Sequence, residues 1–387
     1  MTRAGALKNG YAADDIRCLR LPCGATAPTL VSNSMITLRS PSSGREKMRA
    51  IRLVRLALAL ILLAPLALAC PPTAQAQPDK LAPQVRKFIG HMARAHGFDV
   101  RALRTLLAGA QPNREVLRAV AAPVTSRPWY QFRPLCVDDM QVSEGVQFWH
   151  DNAALLERAR RDFGVPEDIV IAVIAIESRF GRYAGGYRVI DSLYTLAFVW
   201  PNRAAYFRGE LEQFLVLARE QGWDAGSVQG SFAGALGWPQ FMPSSYRRFA
   251  LDYSGDGRVD LWDDVADIVG SVANYLQQSG WRDGQPVAAR AQLDGIDPNP
   301  LLQLGPKPQL LSQWAQRGVS SAEDIAQALS ASLFALELAD GPEYWLGFDN
   351  FHILLRYNPS RNYAMAVYQL AQEIRAQHER PGLAGSD

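Results

Sequence analysis

Residues 169–176 read IVIAVIAI, and the next residue is Glu177. Eight apolar side chains in succession leave no polar stripe at a helical period, so a helix formed here is buried on every side and other elements must wrap it. Pro166, following Gly164 and Val165, breaks the chain ahead of this run and stands at or near its first helical position. A carboxyl at the far end of such a helix is costly to ionise. Burial among apolar groups raises a carboxyl pKa, which keeps the group protonated near neutral pH and able to act as a general acid. The alternative places Glu177 at a helix surface or in an ion pair with Arg179 or Arg182.

The rest of the chain supplies wrapping material. Residues 83–109 carry a helical pattern, with Val85, Phe88, Ile89 and Met92 on one face and Gly97 ending the first helix. Residues 144–163 read as a single helix, Asp191 as the N-cap of SLYTLAF, and FRGELEQFLVLAREQ as another amphipathic helix. Residues 125–137, TSRPWYQFRPLCV, hold two prolines and are expected to be extended rather than helical. After Trp281, prolines are scattered through 286–308, and the alternating stretches SLFALELA and YWLGF flank Asp340-Gly341-Pro342, which predicts a small β-element. A last helix runs from about 360 to 377. The expected architecture is mainly α, with a helical N-terminal part (78–165), a core (166–282), a small β-containing part (283–350) and a C-terminal helix completing the core (351–378).

Ahead of these lies an export leader. Met48 opens MRAIRLVR, whose Arg49, Arg52 and Arg55 precede the apolar LALALILLAPLALA and then small-residue cleavage sites, giving a signal peptide over 48–76. Residues 1–47 lack any periodic pattern and read as an untranslated or unstructured upstream extension. Cleavage follows either Ala74-Gln75-Ala76 or, for a lipid-anchored form, precedes Cys70; Ala67 and Leu68 stand in the reverse of the usual lipoprotein order. Cys18, Cys23 and Cys70 lie in or before the leader, so Cys136 is alone in the mature chain and reads as a small buried hydrophobe. A formal charge of +2 from 40 basic and 38 acidic residues supplies no field for holding nucleic acid. The five histidines show no H-E-x-x-H or similar ligand spacing, and neither a phosphate-cradling glycine loop nor a G-x-S-x-G elbow occurs.

Two further clusters bear on chemistry. Residues 230–249, GSFAGALGWPQFMPSSYRRF, are too rich in turns for a plain helix. Glycines there let backbone approach a ligand, aromatic faces suit sugar rings, and Gln240 both donates and accepts; a tight structural loop would use the same glycines. Asp252, Ser254, Asp256 and Gly257, with Arg258 at the position that offers a backbone carbonyl, resemble an EF-hand Ca²⁺ loop. The twelfth position is Asp263 rather than Glu, so either Asp263 or the later Asp267 closes the loop.

Taken together, AIESRFGRYAGGYRVIDSLYTLAF, GSFAGALGWPQFMPSSYRRFALDYSGDGRVDLW, GSVANYLQQSGW, YWLGFDNF and RYNPSRNYAMAVYQLAQ resemble the lytic murein transglycosylases of the B type, soluble or membrane-bound, over roughly residues 88–373. The resemblance implies a lysozyme-like helical core over 166–282 with Glu177 as catalytic residue. It also implies a glycan groove with Ser231, Gln240, Phe241 and Met242, and with Arg203, Tyr275, Tyr357 and Asn358 nearby. Where such families often carry paired arginines, this chain has Asn202-Arg203. A structural Ca²⁺ on Asp252, Ser254, Asp256, Arg258 and Asp267 is implied as well, with no organic cofactor. The implied reaction takes place in the periplasm and cuts the β-1,4 bond between N-acetylmuramic acid and N-acetylglucosamine of peptidoglycan, closing a 1,6-anhydro ring without water. The alternatives are a hydrolytic muramidase using Asp191 or another acid as partner, a non-catalytic wall-binding module, and a calcium-dependent adhesion module.

Overall fold

The structure is a computed structural model that describes residues 81–304 and 307–380. The upstream extension, the leader and Cys70 lie outside the described residues.

The chain opens with α1 (Pro83–His96), α2 (Val100–Ala108), α3 (Arg114–Ala121), α4 (Trp129–Cys136), α5 (Asp139–Asp151), α6 (Ala153–Phe163) and α7 (Glu167–Ser178). A two-residue strand β1 (Tyr187–Arg188) precedes α8 (Val189–Phe198) and α9 (Ala204–Gln221); its antiparallel partner β2 (Gln229–Gly230) precedes α10 (Pro243–Phe249) and α11 (Val265–Gln278). There follow β3 (Ala288–Leu293), α12 (Asn299–Leu302), β4 (Gln309–Leu310), α13 (Leu311–Ala315), β5 (Val319–Ser321), β6 (Ser330–Leu338), β7 (Gly341–Gly347), α14 (Asp349–Tyr357) and α15 (Arg361–His378).

Helix α7 is the apolar run, and every residue from Asp168 to Ser178 is buried. It is wrapped by α5, α6, α11 and α15, which is why no side of it is polar. Gly145 on α5 lets α15 approach closely, since a Cβ there would overlap the Ile374 side chain. At the start of α7, Arg375 of α15 donates from Nε and Nη2 to the two oxygens of Asp168, at 2.9 and 2.8 Å, and so fixes the two helices in register. Side-chain caps start several helices: Asp99 accepts from Ala102 N, Asp138 from Gln141 N, Asp264 from Ala266 N, and Ser360 from Tyr363 N.

The β-containing part is one antiparallel sheet in the order β4-β6-β7-β3-β5, with β6 and β7 joined by a two-residue turn between Leu338 and Gly341. Its own core gathers Ala289, Leu311, Trp314, Val319, Leu333 and Leu346, and Trp314 donates its indole N–H to the Ala331 carbonyl at 2.8 Å. Among the described residues, no helix is long and apolar enough to cross a membrane.

Three local expectations are corrected. Residues 129–136 are helical despite their prolines: Pro128 lies ahead of the first turn, and Trp129, Phe132 and Cys136 bury one face against α15 and β6, which outweighs the backbone bond lost at Pro134. The single helix over 144–163 is two, because Asn152 leaves helical geometry (φ −123°) and donates its side-chain amide to the Phe148 carbonyl at 2.9 Å. Asp191 lies inside the first turn of α8, whose N-cap is Arg188. It accepts instead from the Gln111 N–H at 2.8 Å and so ties the α2–α3 connection to α8.

Candidate active site

Glu177 occupies the last turn of α7, with only 3% of its surface exposed. Two features of that position disfavour a negative charge: the apolar surroundings, and the negative end of the helix dipole. Helix α7 ends one residue later, at Ser178, and its C-cap Arg179 adopts a left-handed conformation (φ 47°), followed by Phe180 in the same region (φ 55°). The two arginines that follow it in sequence pair with other acids. Arg179 pairs with Asp138 at 3.2 Å, and Arg182 pairs with Glu144. The hydroxyl of Tyr363, from the first turn of α15, donates to Glu177 Oε1 at 2.7 Å.

Tyr363 leads into a run of aromatic rings. It stacks on Tyr357 with ring centres 6.2 Å apart and 16° between planes, and Tyr357 in turn meets Tyr275 at 4.6 Å and Phe241 at 5.9 Å. The hydroxyls at the back of this cluster are turned to the main chain: Tyr357 donates to the Pro239 carbonyl at 2.6 Å, and Tyr275 to the Arg356 carbonyl at 2.7 Å. Phe241, Tyr357 and Asn358 are fully enclosed, so they form the wall behind the Glu177 site rather than an open face. Asn358 Oδ1 accepts from the Ser360 N–H at 3.1 Å, which shapes the entry to α15.

The glycine-rich segment folds as a tight loop. Leu236 and Phe241 exchange both backbone hydrogen bonds across it, at 2.8 and 3.1 Å, which forces Gly237 and Gln240 to positive φ (65° and 52°). Gly237 cannot carry a side chain here, because a Cβ would strike Leu261. Gln240 donates to Gly237 O at 2.7 Å and to Ala184 O at 2.9 Å, pinning this loop to the one that leaves α7. Ser231 Oγ accepts from the N–H groups of Ala233 and Ala235 at 3.2 and 3.0 Å, and Met242 is buried just ahead of α10. Arg203, at the N-cap of α9, holds its guanidinium 4.3 Å above the Tyr206 ring. A separate cavity of about 660 Å³ lies between α4, α15 and the sheet, lined by Trp129, Arg133, Trp345 and Tyr368 among others. None of the residues expected in the glycan groove lines it.

Cys136 is buried, and burial pushes its thiol well above the ordinary range, which removes it as a nucleophile. Tyr363 was not singled out from the sequence: it falls within RYNPSRNYAMAVYQLAQ, where its position at the start of an apolar helix reads as core packing.

The acidic loop is held by two carboxylates. Asp252 gathers the N–H groups of Gly255, Asp256 and Gly257 at 2.7, 3.1 and 2.8 Å. Desolvation pushes this carboxyl up, but the N–H groups of Gly257, Gly255 and Asp256 outweigh it and hold the pKa below the usual range. Asp267, fully buried at the start of α11, accepts from Tyr253 N, Ser254 N and Asp260 N at 2.7, 3.1 and 2.8 Å. Asp263 is exposed, with its N–H donated to Asp260 at 3.0 Å, whereas Asp267 joins the loop to α11 through these amides. Ser254 Oγ lies 3.4 Å from Asp252 Oδ1, and Asp256 accepts from the Arg258 N–H at 2.8 Å.

A family model described as "Transglycosylase SLT domain" matches residues 80–372. The membrane-bound lytic murein transglycosylase B of Escherichia coli (strain K12) is 42% identical over 305 residues, covering 76% of this chain and 82% of that protein. Among solved structures, the soluble lytic transglycosylase SltB1 from Pseudomonas aeruginosa superposes with a TM-score of 0.71 at 41% identity, covering 76% of this chain and 99% of that one. The Escherichia coli lytic transglycosylase Slt35, in complex with calcium, does so with a TM-score of 0.70 at 39% identity, covering 77% and 94%. With the buried glutamate, the helical wrap and the small sheet in place, this chain belongs to the lytic murein transglycosylase B family.

Proposed function

We propose that Glu177 alone performs both proton transfers of a peptidoglycan lytic transglycosylase. The supporting observation is a single carboxyl, 3% exposed, at the end of a helix buried from Asp168 onward and held by the Tyr363 hydroxyl. Burial and the helix C-terminus keep Glu177 protonated, so it delivers its proton to the oxygen between N-acetylmuramic acid C1 and N-acetylglucosamine O4. That bond breaks, the glucosamine side leaves as a free 4-hydroxyl, and positive charge develops at C1. The Glu177 carboxylate then takes the proton of the muramic acid 6-hydroxyl as O6 bonds to C1. The product is a 1,6-anhydro ring, Glu177 regains its proton, and no water is consumed. Ser231, Gln240, Phe241, Met242, Tyr275, Tyr357 and Asn358 shape the groove mainly by fixing its loops and its aromatic wall, and Arg203 meets acidic or peptide groups of the substrate.

A hydrolytic muramidase would need a second carboxyl to activate water. Asp191 is poorly suited, since Oδ1 accepts from Gln111 N and Oδ2 lies 3.4 Å from Arg188. The test is digestion of purified peptidoglycan by the protein and by Glu177→Gln, with mass spectrometry of the fragments. Fragments one water lighter than hydrolysis products, absent for the variant, are expected. Hydrated reducing ends would replace this reading with a muramidase, and binding without fragments from either protein would replace it with a wall-binding module.

For the acidic loop we infer a Ca²⁺ held by Asp252, Ser254, Asp256, the Arg258 carbonyl and Asp267. The donors are all oxygen, as a hard cation requires, and the relative Slt35 was solved with calcium. The ion would brace the loop against α11, remote from the proton transfers. Export by residues 48–76 into the periplasm follows from the leader pattern. A lipid on Cys70 would make this chain a membrane-bound enzyme, as its relative in Escherichia coli is named.

A further inference from the structure

We propose that His91, His96 and Glu212 form a three-ligand site for a divalent transition metal of the zinc type, clamping α1 to α9. The two histidines sit five residues apart on α1, and Glu212 lies on α9, more than a hundred residues away in sequence. His91 Nε2 is 3.1 Å from Glu212 Oε2, His96 Nε2 is 2.7 Å from Glu212 Oε1, and all three ligand atoms fall within 4.8 Å of one another. A tetrahedral zinc with bonds of about 2.0–2.1 Å separates its ligand atoms by roughly 3.3–3.4 Å. The two histidine–carboxylate separations, 2.7 and 3.1 Å, are shorter than that value by less than an ångström, so small outward side-chain adjustments would seat the ion.

The donor chemistry selects the metal class. Two imidazole nitrogens and one carboxylate suit zinc and its neighbours, whereas Ca²⁺ and Mg²⁺ take oxygen. The site is also open enough to be loaded and to keep a water in the fourth position, with the His91, His96 and Glu212 side chains 48%, 25% and 23% exposed. The site shares no residue with Glu177 or the acidic loop, so its metal would act on the packing of the N-terminal helices and not on proton transfer.

The experiment is isothermal titration of Zn²⁺ into untagged protein, with Ca²⁺ present throughout to fill the acidic loop, paired with thermal unfolding. The expected result is a zinc site and a Tm raised by zinc but not by Mg²⁺. His96→Gln and Glu212→Gln should each weaken that site by more than about tenfold, because even outer-shell changes at metal sites cost that much. Retained far-ultraviolet circular dichroism and peptidoglycan cleavage establish that the variants are folded. With Co²⁺ in place of zinc, the visible bands of a tetrahedral ion should appear in the parent protein and be lost in the variants. Absence of zinc binding, or binding of equal strength in parent and variants, overturns the proposal and leaves two ordinary histidine–glutamate hydrogen bonds.

Discussion

Replacing Tyr363 by Phe isolates the contribution of one hydroxyl to the chemistry of Glu177. Tyr363 is fully buried and its hydroxyl donates to Glu177 Oε1 at 2.7 Å, while its ring stacks on Tyr357; Phe keeps the ring and removes only the donor. A hydrogen bond to a group that carries charge in part of the cycle contributes about 1.5–3 kcal/mol. If that stabilisation acts on the carboxylate form, which must exist between the two proton transfers, its loss slows turnover by roughly 10- to 150-fold. The sign of the pH effect follows from the same bond. A donor stabilises the ionised carboxyl, so its removal raises the Glu177 pKa. The high-pH limb of kcat/KM, which requires protonated Glu177, should therefore move upward in the variant. Release of anhydro-muropeptides across a pH series, at matched folded concentration, gives both numbers. A variant with unchanged rate and unchanged high-pH limb would refute the assignment of Tyr363 to the proton-transfer site.

Other consequences can be measured on the same material. Asp267→Asn should abolish the calcium-dependent rise in Tm, whereas Asp263→Asn should retain it, because Asp267 is buried at the head of α11 and Asp263 is exposed; saturating an ion site a hundredfold above its Kd adds about 2.7 kcal/mol. Arg375→Ala should lower urea stability by about 1–3 kcal/mol, since it leaves the nearly buried Asp168 without its paired donors, while the 41% exposure of Arg375 keeps the loss below that of a fully buried pair. His352, whose imidazole pKa burial holds below the ordinary 6.5, stays neutral in the fold while the unfolded chain takes up a proton. Stability should therefore fall as pH drops below about 6.5, and more gently in His352→Gln; His378 is depressed in the same direction, so the variant retains part of the slope.

Much of this protein can be read from its sequence, for identifiable physical reasons. The run IVIAVIAI determined a helix buried on all sides, because no arrangement leaves it a wet face, and α5, α6, α11 and α15 surround it accordingly. The position of Glu177 within that helix, the β-element after Trp281 and the turn chemistry of 230–242 are equally local in origin. Tertiary structure decided what depended on partners distant along the chain. Residues 129–136 became a helix because α15 and β6 offered Trp129 and Phe132 a place to bury, against the preference of two prolines. Asp191 bound Gln111 rather than its own helix, and Asp267 took the amides of Tyr253, Ser254 and Asp260 while Asp263 stayed exposed. Histidine spacing along one helix carried no metal signal until the fold brought Glu212 against it. The sequence likewise placed the acid on α7 but not the hydroxyl that faces it, since Tyr363 is 186 residues away and its local pattern is that of any core aromatic. Periodicity and propensity act within a few helical turns, whereas the atoms that meet at a site are chosen by how those turns pack.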